Sequence, residues 1–97
     1  MGVKFNREYS DIIRDLGAAL ANIDNCFEFF DMEPADWEQL NDEEQTDYLR
    51  TLADDIFYGL GSEATIEIGE GKVQYDSTNH HIRVWTDSQI VQLVKLI

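Results

Sequence analysis

This 97-residue chain has one cysteine, one proline and only seven Lys or Arg. A lone thiol, Cys26, cannot close an internal disulfide, which fits a reducing compartment and a cytoplasmic protein. No apolar run approaches the ~20 residues of a membrane-spanning helix. Met1 is followed by Gly-Val-Lys-Phe-Asn-Arg, so no secretory leader is expected. Asn6 stands where a myristoylation signal after Gly2 wants Ser or Thr. Seven cations cannot offset 20 Asp and Glu, and the formal net charge is −13. Proteins that bind nucleic acid or anionic lipid place Lys and Arg on phosphates, so neither is expected as a direct ligand. A basic protein partner is favoured, because opposite fields speed encounter.

What is present is enough to fold. Hydrophobic residues make up 43 %, with two Trp, five Phe and four Tyr, which argues against disorder. The length suits a single domain over residues 1–97.

The charge is unevenly placed. Residues 8–55 hold 15 of the 20 acids and only two cations, Arg14 and Arg50, and therefore carry all of the −13. The remainder holds five acids and five cations.

The acidic part reads as helical. Tyr9, Ile12, Ile13, Leu16, Leu20, Ile23 and Phe27 recur at three- and four-residue spacing on one face. Asn6 is the expected cap, with Glu8 in the positive first turn, and Asp24-Asn25 is the expected break. Pro34 suits the first position of a short helix over 34–40 that buries Trp37 and Leu40. Asn41 with Glu44 resembles a capping box, and the helix behind it should run to about Leu60 on a Leu49, Leu52, Ala53, Ile56, Leu60 stripe. Gly59 and Gly61 supply its stop.

The neutral part changes period. Residues 64–68, 72–77 and 81–86 read as three strands, joined by turns at Gly69-Glu70-Gly71 and Asn79-His80. Ile66, Ile68, Val73, Tyr75, Ile82 and Val84 should face the helices. Residues 90–97 have helical spacing (Ile90, Leu93, Val94, Ile97) yet a strand-like composition. They are taken as a helix capped by Thr86 or Asp87. The expected fold class is α+β: two N-terminal helices with a short helical turn between them, a three-stranded antiparallel meander and a C-terminal helix.

Two stretches are candidate interaction surfaces. On the long helix, Glu43, Glu44, Asp47, Asp54, Asp55 and Tyr58 share one sector opposite the apolar stripe, bordered only by Arg50. Carboxylates one turn apart stand ~6 Å from each other, comparable to successive phosphates along a nucleic-acid strand. Like charges at this spacing weaken a helix by a few tenths of a kcal/mol per pair, and a face serving only solubility would usually mix signs. In the preceding connection Asp24, Glu28, Asp31, Glu33, Asp36, Glu38 and Asp42 alternate with Phe27, Phe29, Phe30, Met32 and Trp37. That mixture suits a basic, partly apolar groove. The competing interpretation is a solvated face over core-closing aromatics, which fits Phe27, Phe30 and Trp37 best.

Other chemistries find little support. An EF-hand loop needs Gly at its sixth position, where a start at Asp24 gives Phe29 and a start at Asp31 gives Asp36. His80 and His81 with Asp76 are the only metal-like grouping, and adjacent strand residues point to opposite faces. Cys26 reads as a small buried apolar residue. Gly69-Glu70-Gly71 is too short for a dinucleotide loop, and no phosphate loop or nucleophile elbow occurs. Size and acidity invite comparison with acyl carrier proteins, but their Asp-Ser-Leu attachment motif is lacking. No catalytic residue, metal or cofactor is therefore assigned.

The first expectation for function is a stoichiometric inhibitor that offers the 28–55 surface to a basic nucleic-acid-processing protein or nuclease. It would act as a nucleic-acid mimic of the kind carried by phages and mobile elements, or as an immunity protein. The second is a non-catalytic adaptor, homodimeric through residues 90–97. A small enzyme or metal binder built on His80, His81 and Asp76 is the third.

Overall fold

The computed structural model describes residues 3–23, 25–86 and 89–97. Asp24 at the expected break and Asp87 as an expected cap lie outside them. Helices come first and strands follow, as the change of period implies. Helix α1 spans Tyr9–Leu20, a 3₁₀ helix Cys26–Phe30, α2 Pro34–Gln39 and α3 Asp42–Gly59. Strands β1 (Thr65–Ile68), β2 (Gly71–Asp76), β3 (His81–Thr86) and β4 (Gln89–Lys95) form one antiparallel sheet in that order.

Helix α1 begins later than its sequence suggests. The Asn6 and Arg7 amides donate to the Leu96 carbonyl at 2.9 and 3.2 Å, which holds this segment against the end of the chain. Asn6 is thereby removed from the cap position. Glu8 takes that place, and its side chain makes no capping bond. Ile12, Ile13, Leu16, Ala19 and Leu20 are buried, as the stripe requires, but Tyr9 is exposed at its end.

The connection bends at two left-handed residues, Asn25 (φ 63°) and Asp31 (φ 56°), the residue types that adopt this conformation most readily after glycine. Pro34 opens α2. Trp37 and Leu40, expected to be buried, are only half-buried, because a six-residue helix on the rim meets the core along one edge. At α3 the capping box forms: the Glu44 amide donates to Asn41 Oδ1 at 2.8 Å, and the Asn41 amide donates to Glu44 Oε1 at 3.0 Å.

The β1–β2 hairpin turns through Gly69 and Glu70, between the Ile68↔Gly71 pair. Gly69 has φ 52° at the first loop position, which is the type II′ arrangement. Gly71 lies so close to β3 that a Cβ there would stand 2.2 Å from the Trp85 carbonyl oxygen. On the inner face Ile68, Val73, Ile82, Val84 and Val94 are buried against α1 and α3, while Ile66 and Tyr75 are half-buried beside them.

The fold differs from expectation at the C-terminus. The sheet has four strands, and residues 89–95 form β4 paired to β3 where a helix was expected. Two physical reasons account for this. A helix could cover a face of the sheet, but only a strand satisfies the free backbone groups along the edge of β3. The register also shifts between Val84 and Trp85, so that Trp85 faces Ile90 while Arg83 faces Leu93. The extra residue of this bulge interrupts the strand's period of two, which hides the alternation in the sequence. Beyond it the period is two: Val94 and Leu96 are buried, and Leu93, Lys95 and Ile97 are exposed. Thr86 is therefore the last residue of β3, paired with Gln89, and not a helix cap.

Candidate functional site

The described residues fall into two populations of carboxylates. Asp11, Asp15 and Asp76 are ion-paired. Arg7 reaches Asp15 at 2.8 Å, Arg14 reaches Asp11 at 3.4 Å, and Arg83 reaches Asp76 at 2.6 Å. The acids of the candidate surface have no such partner among the described residues. Glu28 and Asp31 sit on the 3₁₀ helix and its end, Glu33, Asp36 and Glu38 on and before α2, and Glu43, Glu44, Asp47, Asp54 and Asp55 on α3. All ten are exposed.

Aromatic packing joins these elements. Phe27 stacks on Trp37 at 5.9 Å between ring centroids, and Tyr48 of α3 contacts both Phe30 (5.2 Å) and Trp37 (6.3 Å) edge-on. The Gln45 side chain donates to the Trp37 carbonyl at 2.9 Å, which fixes α2 to α3. The connection is thus held on the Tyr48 side of α3, next to its acidic sector. Tyr58, assigned to the same sector, is 86 % exposed, and Phe29 is 45 % exposed within the connection. Tyr48 was missed by sequence reasoning. Its i+3 and i+4 distance from Gln45 and Glu44, with aromatics upstream, was the available signal.

On its other side the acidic sector meets α1. A groove of about 620 Å³ between α1 and α3 is lined by Tyr9, Asp11, Ile13, Arg14, Arg50 and Asp54, among others. Both cations of the acidic segment therefore stand at this margin, away from the connection. The Tyr9 hydroxyl donates to Asp54. Partial burial, this carboxylate hydrogen bond and the charges of Asp54 and Asp55 push the Tyr9 phenol up to about 12. Asp54 is consequently a structural as well as a surface residue.

The Asp76 grouping closes a hairpin. The Asn79 side-chain amide donates to Asp76 Oδ2 at 2.8 Å, and the Thr78 and Asn79 amides donate to Oδ1 at 3.1 Å. These Asn79 bonds, followed by the Arg83 and His81 charges, hold the Asp76 carboxyl below the ordinary carboxylate range. Arg83 pairs with Asp76, and no group of three His, Cys, Asp or Glu able to hold a metal occurs among the described residues. Cys26 is buried, and burial raises its thiol pKa. No described helix is long and apolar enough to cross a membrane.

Fold and site together define a small α+β protein whose α2–α3 side carries carboxylates without a cation partner among the described residues, and whose β2–β3 hairpin pairs Asp76 with Arg83. Comparison with protein-family models, with curated proteins and with solved structures finds no match to this chain.

Proposed function

We propose that the protein is a stoichiometric binding protein whose carboxylate surface occupies the basic site of a nucleic-acid-binding protein or nuclease. The observation that supports this reading is the set of ten exposed acids without a cation partner among the described residues, spread over three elements that aromatic packing holds side by side. A folded protein gains nothing in stability from such a concentration, since neighbouring like charges repel. A basic partner relieves that repulsion on binding. Exposed aromatic rings, Tyr58 and Phe29, add apolar contact inside the charged field. The protein would compete with phosphate contacts, as a phage-encoded or mobile-element inhibitor or an immunity protein does.

Affinity capture from a lysate of the source organism, at low and at high salt, tests this. The expected result is a basic DNA- or RNA-processing protein retained at low salt and lost at high salt. Charge reversal by E43K, D47K and D55K together should abolish its capture; Asp54 is left intact because it holds Tyr9. Undiminished capture by that folded triple variant would sink the proposal.

A further inference from the structure

The two edges of the sheet are protected very differently. Edge strand β1 has four residues, contains Glu67 and is flanked by Glu63 and Glu70. Short length and like charge are the usual protections of an edge against pairing with another strand. Edge strand β4 has seven residues and a single charge, Lys95. Its length corresponds to about 23 Å of edge at ~3.3 Å per residue.

Among the described residues, hydrogen bonds from outside the sheet reach only the last part of that edge. The Arg7 guanidinium donates to the Lys95 carbonyl at 2.8 Å, and the Asn6 and Arg7 amides cap the Leu96 carbonyl. No other backbone hydrogen bond from outside the sheet reaches β4 among the described residues. The Leu96 amide donates inward to the His80 carbonyl. By alternation the Leu93 and Lys95 amides point away from β3. Leu93 is 48 % exposed beside this edge, and Ile97 is 56 % exposed just beyond it.

Charge limits where a second copy can sit. A second copy of a chain with net charge −13 is repelled wherever acids stand unpaired. The neighbour of β4 in the helical layer is α1, whose Asp11 and Asp15 are neutralised by Arg14 and Arg7. This is the side on which two copies can meet with least repulsion.

We propose that β4 pairs antiparallel with β4 of a second copy, joining two four-stranded sheets into one across a two-fold axis. Such isologous pairing closes at two chains and gives no filament. Both carboxylate surfaces remain on the helical layers, free to bind.

Sedimentation equilibrium of the full chain over a range of concentration and salt tests the pairing. The expected result is a dimer whose association strengthens with salt, because screening lowers the mutual repulsion. Capture of a basic partner should weaken with salt, so the two proposals fail separately. L93K, which sets like charges together at the seam, should weaken association about tenfold or more. L93P removes an outward amide and should abolish it. If L93P does not fold, as judged by circular dichroism, L93K carries the test. Hydrogen exchange should protect the Leu93 and Lys95 amides only at dimeric concentrations. A monomer at every concentration overturns the proposal, as does a dimer that folded L93K leaves intact or one in which those amides stay unprotected.

Discussion

The α2–α3 surface and the β2–β3 hairpin treat the same chemical group in opposite ways. On the sheet, Asp76 is fixed by Arg83 and by hydrogen bonds from Thr78 and Asn79. On α2, α3 and the connection before them, ten carboxylates face water without a cation partner among the described residues. Both regions share one core, in which Leu16 and Leu52 from the helices meet Val73 and Ile82 from the sheet. The difference is therefore not one of stability between two units. It separates a carboxylate held by a cation from carboxylates that stand without one, of which Glu44 and Asp54 still serve the fold through the capping box and the Tyr9 hydroxyl.

Five measurements would break or sharpen that contrast. The largest effect is expected beneath both regions. Leu16 is fully buried, and L16A should cost about 3 kcal/mol in urea unfolding. Trp37 reports the acidic connection and Trp85 the sheet, so single-tryptophan variants should show one common transition. Separate midpoints would mean that the two regions are not one cooperative unit. Next, G71A strikes the sheet alone. Its Cβ has no room before the Trp85 carbonyl, and a loss of about 2 kcal/mol is expected in the same assay. A neutral result would show that β2 and β3 can move apart.

On the acidic side, N41A removes the side-chain cap of α3 and should cost about 1 kcal/mol, read from thermal melting. The fourth measurement concerns pH. The Asp76 pKa is depressed by folding, so its stabilising contribution is complete above the ordinary aspartate value of about 3.9 and is lost as pH falls below it. D76N should be less stable than the parent at neutral pH, with the gap closing at acid pH. A gap independent of pH would remove the electrostatic explanation.

The smallest effect on stability belongs to Tyr9. Its pKa is raised to about 12, so its contribution is intact below about 10 and fades as pH rises through 12. Ultraviolet titration of the tyrosinates should show one late phase, and D54N should move that phase toward 10. If D54N leaves it in place, Asp54 is not its cause.

Much of the fold was legible because it depends on local signals. The three-four stripe of α1, the Asn41/Glu44 box and the two-residue turn at Gly69 are each set by neighbours in the chain. The α+β class and the order of helices before strands follow from the change of period. What was misread depends on distant groups. Asn6 resembles a cap, but its amide is claimed by Leu96 at the far end of the chain. Tyr9 completes an apolar stripe on paper, yet Phe5, Phe57 and Asp54 hold it at the surface. Residues 89–95 conceal their strand alternation because a bulge inserts one residue opposite Val84 and Trp85.

The candidate surface divides in the same way. Sequence alone determined the size of the charge and its confinement to residues 8–55, since both are counts along the chain. It also determined that Glu43, Asp47 and Asp54 share a helix face, because helical geometry is local. Only the tertiary structure decided which acids are neutralised, because ion pairs such as Arg7–Asp15 and Arg83–Asp76 depend on where each chain segment lies. It also decided that the connection joins α3 through Trp37 and Tyr48, and that the last strand becomes an edge. Charge accumulates additively along a sequence, whereas pairing, contiguity and edges are properties of packing in space.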